Sequence, residues 1–158
     1  MVIIPAFAVG RVQTLLHLLA RLKGRGKLAG VPVYLNSPMA VDATRIYHTY
    51  RPQHRLSVEE CTAACQVAEF VNSVEASKEL NTRKGPMIIV AASGMATGGR
   101  VVHHLKAFAP DPRNLILFSG FQAGGTRGAA MVAGAEFIRI HGVEVPVRAE
   151  VANLETLS

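Results

Sequence analysis

The residue types best suited to chemistry lie in Ser93-Gly94-Met95-Ala96-Thr97-Gly98-Gly99-Arg100. Glycines let a backbone turn sharply and come close to a ligand. A helix following such a turn offers amide donors and a partial positive charge. Ser93 and Thr97 add hydroxyls, and Arg100 adds a permanent cation. This chemistry suits a phosphate oxygen, although the same glycines also serve a plain tight turn. Gly124-Gly125-Thr126-Arg127-Gly128 repeats the pattern, while Arg11 follows Gly10 and Ser37 precedes Pro38. Each donor alone reads more often as a helix cap or a surface charge. Together they point to an anionic polymer.

Two nucleotide motifs are approached and missed. Gly94 to Gly99 has the G-x-x-x-x-G spacing of an ATP-binding loop, but Arg100-Val101 stands where Lys-Ser/Thr is needed. The run Leu115 to Ser119 ends without an Asp to help hold magnesium. Gly94-x-Ala96-x-x-Gly99 imitates a dinucleotide fingerprint, yet no acid closes the next strand to meet a ribose hydroxyl. ATP and NAD are disfavoured.

Metal hydrolysis within this chain is disfavoured too. Asp42 and Asp111 are the only aspartates, the six histidines are scattered apart from His103-His104, and no H-x-H or H-E-x-x-H cluster occurs. A self-contained zinc or two-metal centre needs three or more convergent ligands per ion. We expect one of His103 and His104 to be packed and the other exposed, neither catalytic. Cys61 and Cys65 read as small buried hydrophobes. No catalytic residue and no metal ligand is assigned.

The 158 residues carry 17 Lys plus Arg against 11 Asp plus Glu, a net charge of +6 with a pI near 9.8. Such a surface favours polyanions. With six Phe, three Tyr and no Trp, phosphate recognition is a better expectation than base stacking. Apolar runs fall well short of the ~20 residues of a membrane span. No signal peptide opens the chain, so a cytoplasmic location is expected.

The elements that must position these donors follow from hydrophobic periodicity. Val2-Ile3-Ile4, Val31 to Leu35, Met87 to Ala92 and Leu115 to Ser119 read as buried strands. Helices are expected from about Val9 to Lys23, from Ser37 as N-cap to Tyr50, from Ser73 to Asn81, from Arg100 to Phe108, and briefly before Gly134. Arg51 to Cys65 reads as a loop with one helical turn, and Glu69 to Val71 as a short strand. Glu136 to Ile140 and Val143 to Val151 read as antiparallel strands around His141-Gly142. The fold class is therefore α/β: a mostly parallel, Rossmann-like sheet with helices on both faces and C-terminal antiparallel strands. Ligands bind such sheets at the carboxyl ends of the strands, which is where every donor named above falls.

Four segments in this order carry a family resemblance: Ile4-Pro5-Ala6-Phe7-Ala8-Val9-Gly10-Arg11, Tyr34-Leu35-Asn36-Ser37-Pro38-Met39-Ala40, Ser93 to Arg100, and Gly120-Phe121-Gln122-Ala123 with Gly125-Thr126-Arg127-Gly128. Val74-Glu75-x-Ser77-Lys78-x-Leu80-Asn81 is a fifth. They resemble the β-CASP cassette of metallo-β-lactamase-fold RNA nucleases, over essentially the whole chain.

That resemblance implies a substrate-binding cassette of a zinc-dependent RNA-processing hydrolase. Its zinc-binding H-x-H-x-D-H motif would lie in a flanking metallo-β-lactamase domain, and Ser158 would match the Ser of S-A-H-x-D. The chain is expected to be the cassette alone, inactive by itself, with Met1 a start artefact. Its partners would be single-stranded RNA and the metallo-β-lactamase domain, with self-association through an exposed Val143 to Val151 strand. The RNA-binding set is Ser93, Gly94, Met95, Thr97, Gly98, Gly99, Arg100, Arg11, Ser37, Gly125, Thr126 and Arg127, with Arg100 expected to make the strongest phosphate contact. Thr14, Asn36 and Gly124 depart from the family pattern, where Glu, Asp and Glu are common. A non-catalytic nucleic-acid or protein-binding module and a Rossmann-like small-molecule binder stand as alternatives.

Overall fold

Runs of β-branched and aliphatic residues long enough to be covered on both faces become parallel strands here. The computed structural model describes residues 1–154; Ser158 lies outside the described residues. The strands are β1 (Val2–Pro5), β2 (Val33–Leu35), β3 (Glu69–Phe70), β4 (Ile88–Ala91), β5 (Leu115–Phe118), β6 (Phe137–Ile140), β7 (Val143–Pro146) and β8 (Glu150–Asn153). The helices are α1 (Arg11–Gly24), α2 (Pro38–Thr49), α3 (Val58–Gln66), α4 (Val74–Leu80), α5 (Val101–Phe108) and α6 (Arg127–Val132). Six strands form one sheet in the order β3-β2-β4-β1-β5-β8, every neighbouring pair parallel. β6 and β7 make a separate antiparallel hairpin.

The period-two alternation of a strand divides the core into two layers. Ile3, Ile89, Ile116 and Phe118 face α5 and α6 with Leu105, Met131 and Ile140. Ile4, Val90 and Leu35 face the other way, onto Val12, Leu16, Leu19 and Val41. Among the described residues no helix is long and apolar enough to cross a membrane.

Three boundaries differ from the sequence expectation. Helix α1 starts at Arg11 rather than near Val9, because Gly10 takes φ +81°, outside helical space. The expected loop Arg51 to Cys65 is a 3-10 turn at Arg51–Gln53 followed by α3. A capping box opens that helix. Ser57 Oγ accepts from the Glu60 amide at 3.1 Å, and the Glu60 carboxylate accepts from the Ser57 amide at 3.0 Å. The single strand expected from Val143 to Val151 is two. Pro146, lacking an amide proton, ends β7. The amides of Arg148 and Ala149 then both reach the Ala109 carbonyl, and β8 joins β5 in parallel. The C-terminal segment is thus paired within the chain on one side.

Candidate functional site

All six main-sheet strands point their carboxyl ends the same way, so the connections after β1, β2, β4 and β5 share one rim. The connections touch. A Cβ on Gly94 would lie 2.9 Å from the Phe7 ring, and one on Gly128 would strike the Gln122 side chain at 1.8 Å. The Gly128 amide donates to the Met95 carbonyl at 3.0 Å, and Gln122 Nε2 to the Gly94 carbonyl at 3.2 Å. Small residues there let three loops pack into one surface. The rim brings the predicted residues together, but their accessibility differs.

The Ser93–Gly99 turn is largely capped by its own hydroxyl. Ser93 Oγ accepts from the Thr97 amide at 3.1 Å and the Gly98 amide at 3.4 Å, and it shares a hydrogen bond with Thr97 Oγ1 at 3.1 Å. Gly99 has φ +73°, and a Cβ there would approach the Ala92 carbonyl oxygen to 2.5 Å. Thr97 and Gly99 are exposed. Ser37 is buried as the N-cap of α2, accepting from the Ala40 amide at 3.3 Å. Thr126 caps α6 through the Ala129 amide at 3.1 Å, with Gly125 exposed beside it.

The three arginines divide sharply. Arg100 donates to Asn36 Oδ1 at 2.7 Å, to the Val71 carbonyl at 3.0 Å and to the Asn72 carbonyl, tying together the ends of β2, β3 and β4. Arg127 donates to the carbonyls of Ala96 (3.0 Å), Thr97 (3.1 Å) and Arg139 (2.6 Å), holding the turn from beneath. Arg11 has neither a hydrogen-bond nor an ion-pair partner among the described residues. Its guanidinium lies against Gly120, where a Cβ would be 3.4 Å from Nη2. The next residue, Phe121, is 72% exposed.

Beneath Arg100 runs a buried polar network. The Asn36 amide donates to Ser77 Oγ at 2.6 Å and to His104 Nε2 at 2.8 Å, and His104 Nδ1 donates to Asn81 Oδ1 at 2.6 Å. This pattern needs the neutral imidazole with its proton on Nδ1. Burial, with His103 and Arg100 adding to it, pushes the His104 pKa down to about 4. His104 is buried and His103 exposed, as expected.

Two features of the rim had no sequence signal strong enough to single them out. Phe7, Val9 and Phe121, in the connections after β1 and β5, and Met39, in the first turn of α2, are exposed apolar side chains. Three of the four buried polar atoms without partners among the described residues also lie here, namely Ser119 Oγ, Gln122 Oε1 and Asn153 Oδ1. Ser119 and Gln122 directly follow β5, and Asn153 is level with Phe118 on β8. A cavity of about 400 Å³ opens between Thr97, Gly125, Thr126, Arg127, Phe137 and Arg139. No three His, Cys, Asp or Glu donors converge on this rim among the described residues, so it does not fit a zinc ion.

A parallel sheet whose carboxyl edge presents glycine turns, a guanidinium without a partner among the described residues and exposed apolar side chains is a domain of the α/β class, in which that edge is the usual place for a ligand. The chain belongs to the Beta-Casp domain family, which matches residues 12–131. It is 42% identical over 162 residues to Ribonuclease TTHA0252 of Thermus thermophilus, covering 97% of this chain and 36% of that protein. It is 35% identical over 158 residues to an RNase J-like protein of Methanocaldococcus jannaschii, covering 98% and 36%. The Transcription termination factor FttA of Methanosarcina mazei is 36% identical over 147 residues, covering 89% and 23%. The chain thus spans about a third or less of the length of these curated relatives.

Proposed function

We propose that this chain is the RNA-holding domain of an RNA-processing phosphodiester hydrolase. Its carboxyl rim faces a metallo-β-lactamase-type catalytic domain, and single-stranded RNA runs between them. The observation that carries this reading is the Arg11 guanidinium. It is a cation without a side-chain partner among the described residues, lying against Gly120, whose neighbour Phe121 is exposed, amid glycine turns on a chain of net charge +6. Guanidinium for phosphate and ring face for base is the pairing that single-strand binding uses.

Roles on the rim follow from who is already engaged. Arg11 takes a backbone phosphate. Thr97, Gly98, Gly125 and Thr126 line the path beside it, and the orphaned Ser119, Gln122 and Asn153 atoms take polar partners from the substrate or the facing domain. Arg100 and Arg127 position the turn that Arg11 works beside, and Ser37 caps α2 from within. The hydrolytic chemistry, with its zinc, belongs to residues outside these 158, consistent with the short share of the relatives that the chain covers.

Phe7, Val9 and Met39 favour a protein surface docked on the same rim, which fits a facing domain better than a free-standing small-molecule binder. Salt titration of a labelled single-stranded RNA tests the reading. Affinity that falls steeply with salt is expected. No binding at low salt, or stabilisation by ATP, NAD or S-adenosylmethionine instead, would overturn it.

A further inference from the structure

Packing of α3 against α2 gathers three side chains that lie apart in the sequence. His48 is in the last turn of α2, and Cys61 and Cys65, four apart, share one face of α3. One potential donor atom from each, an imidazole nitrogen and two sulfurs, all lie within 4.8 Å of one another. Cys61 is buried, while His48 and Cys65 are half-buried. His48 Nδ1 is itself buried and lacks a hydrogen-bond partner among the described residues. A buried ring nitrogen left unpaired is disfavoured unless something else satisfies it.

The Cys65 thiol does not suit nucleophilic chemistry. Burial, reinforced by Cys61, pushes the Cys65 pKa up to about 11, so that thiol is protonated near neutral pH. Its S–H points at the Thr44 carbonyl, 3.9 Å away. Thiolate is the reactive form, and this surrounding withholds it. A cation bound between the sulfurs reverses that preference by stabilising the deprotonated pair.

We propose that His48, Cys61 and Cys65 form a Cys2His site for a thiophilic divalent ion, zinc above all, that pins the end of α2 to α3. Tetrahedral zinc holds sulfur at about 2.3 Å and imidazole nitrogen at about 2.0 Å, which sets donor separations of about 3.8 Å or less. The three atoms reach that spacing by closing about 1 Å. An N/S donor set rejects magnesium and calcium, which take oxygen. A cavity of about 350 Å³ bounded by Thr44, Arg45, Gln66 and Phe70 gives the ion a way in, and water there fills the fourth position.

The groups facing the site are few. Arg45 is held by Asp42 at 3.5 Å. The Tyr47 phenol is pushed up by burial and then by Cys61 and Cys65, and its ring stacks on His54 at 3.6 Å. Binding one ion releases two thiol protons to solvent and needs no oxidant or reductant. The site lies at the C-terminal end of α2, the helix that Ser37 starts from the rim. Eleven residues of helix place it about 16 Å from there, so it acts on the fold and not on RNA.

Cobalt(II) is the probe, added to the reduced full chain. One ion per chain is expected, with a thiolate-to-cobalt charge-transfer band and strong tetrahedral d–d bands, displaced by zinc. Two protons should be released per ion, and zinc should raise Tm. His48→Ala weakens binding by more than about tenfold, and Cys65→Ser removes most of the charge-transfer intensity. Far-UV circular dichroism without metal checks that each variant folds. For a variant that does not, protection of both wild-type thiols from alkylation by zinc, read by intact mass, stands in. No charge-transfer band in folded reduced protein, cobalt binding unchanged in His48→Ala, or alkylation indifferent to zinc would each overturn the site.

Discussion

Arg100 donates to the side-chain oxygen of Asn36 at 2.7 Å, across the carboxyl ends of the neighbouring strands β2 and β4. That one contact joins the cationic rim to the buried network of Ser77, His104 and Asn81. It also explains how an arginine in the most phosphate-like segment of the chain comes to serve the architecture. Two arginines hold the rim in shape, and a third, Arg11, has no side-chain partner among the described residues.

Arg11 and Arg100 should therefore separate in experiment. Arg11→Ala is expected to reduce the salt slope of RNA binding by about one while leaving stability within about 0.5 kcal/mol. Arg100→Ala removes three hydrogen bonds and strands the buried Asn36 oxygen, so a loss of about 2–3 kcal/mol is expected. Fluorescence anisotropy and urea unfolding of both variants measure this. Equal losses of stability would contradict the division.

His104 makes stability depend on pH. Its folded pKa of about 4 lies below the ordinary histidine value, so between the two the unfolded chain binds a proton that the folded chain refuses. Its contribution is complete above about pH 6.5 and disappears as the pH falls towards 4, a loss of roughly 3 kcal/mol. Urea midpoints across that window, compared with His104→Gln, should show the slope in the native chain alone.

Asn36→Asp would place a carboxylate directly beyond β2. It replaces the amide that donates to His104 Nε2 by a carboxylate oxygen that must instead receive a proton there. The His104 pKa is expected to rise, moving its imidazole titration in proton NMR towards neutral pH. A histidine still neutral at pH 5 in that variant would sink the network as described.

The glycines of the rim should differ among themselves. Gly99→Ala places a Cβ 2.5 Å from the Ala92 carbonyl at φ +73° and should cost about 2 kcal/mol or more by thermal unfolding. Gly124 faces open space, so Gly124→Glu should leave Tm nearly unchanged. Its added negative charge should weaken RNA binding several-fold at low salt and hardly at all at high salt.

Much of this was legible in the amino-acid order. Continuous apolar runs such as Ile88 to Ala91 announced buried parallel strands, and Ser37-Pro38 and Ser73 announced helix starts that their hydroxyls do cap. The glycine turns fell on the expected edge. What sequence could not show was where long side chains go. Arg100 carries the same charge whether it reaches outward or back to Asn36, and only the neighbouring strand ends decide. Ser77 and Asn81 belong to a recognisable stretch whose purpose emerges only beside His104. The helix α3 was missed because its apolar stripe is short, although Ser57 and Glu60 spelled out a capping box. With α3 unseen, Cys61 and Cys65 had no common face and His48 had no reason to be counted with them.

The parallel pairing of β8 with β5 has a practical consequence for handling the protein. β1 begins at the amino edge of the sheet, whereas Asn153 lies level with Phe118 at the opposite margin. A dye attached at Leu154 therefore sits next to the glycine turn after β5, where it can crowd or report on whatever occupies it. The same dye placed ahead of β1 leaves from the far side, disturbing little beyond the hydrogen bond from the Met1 ammonium to Asn114.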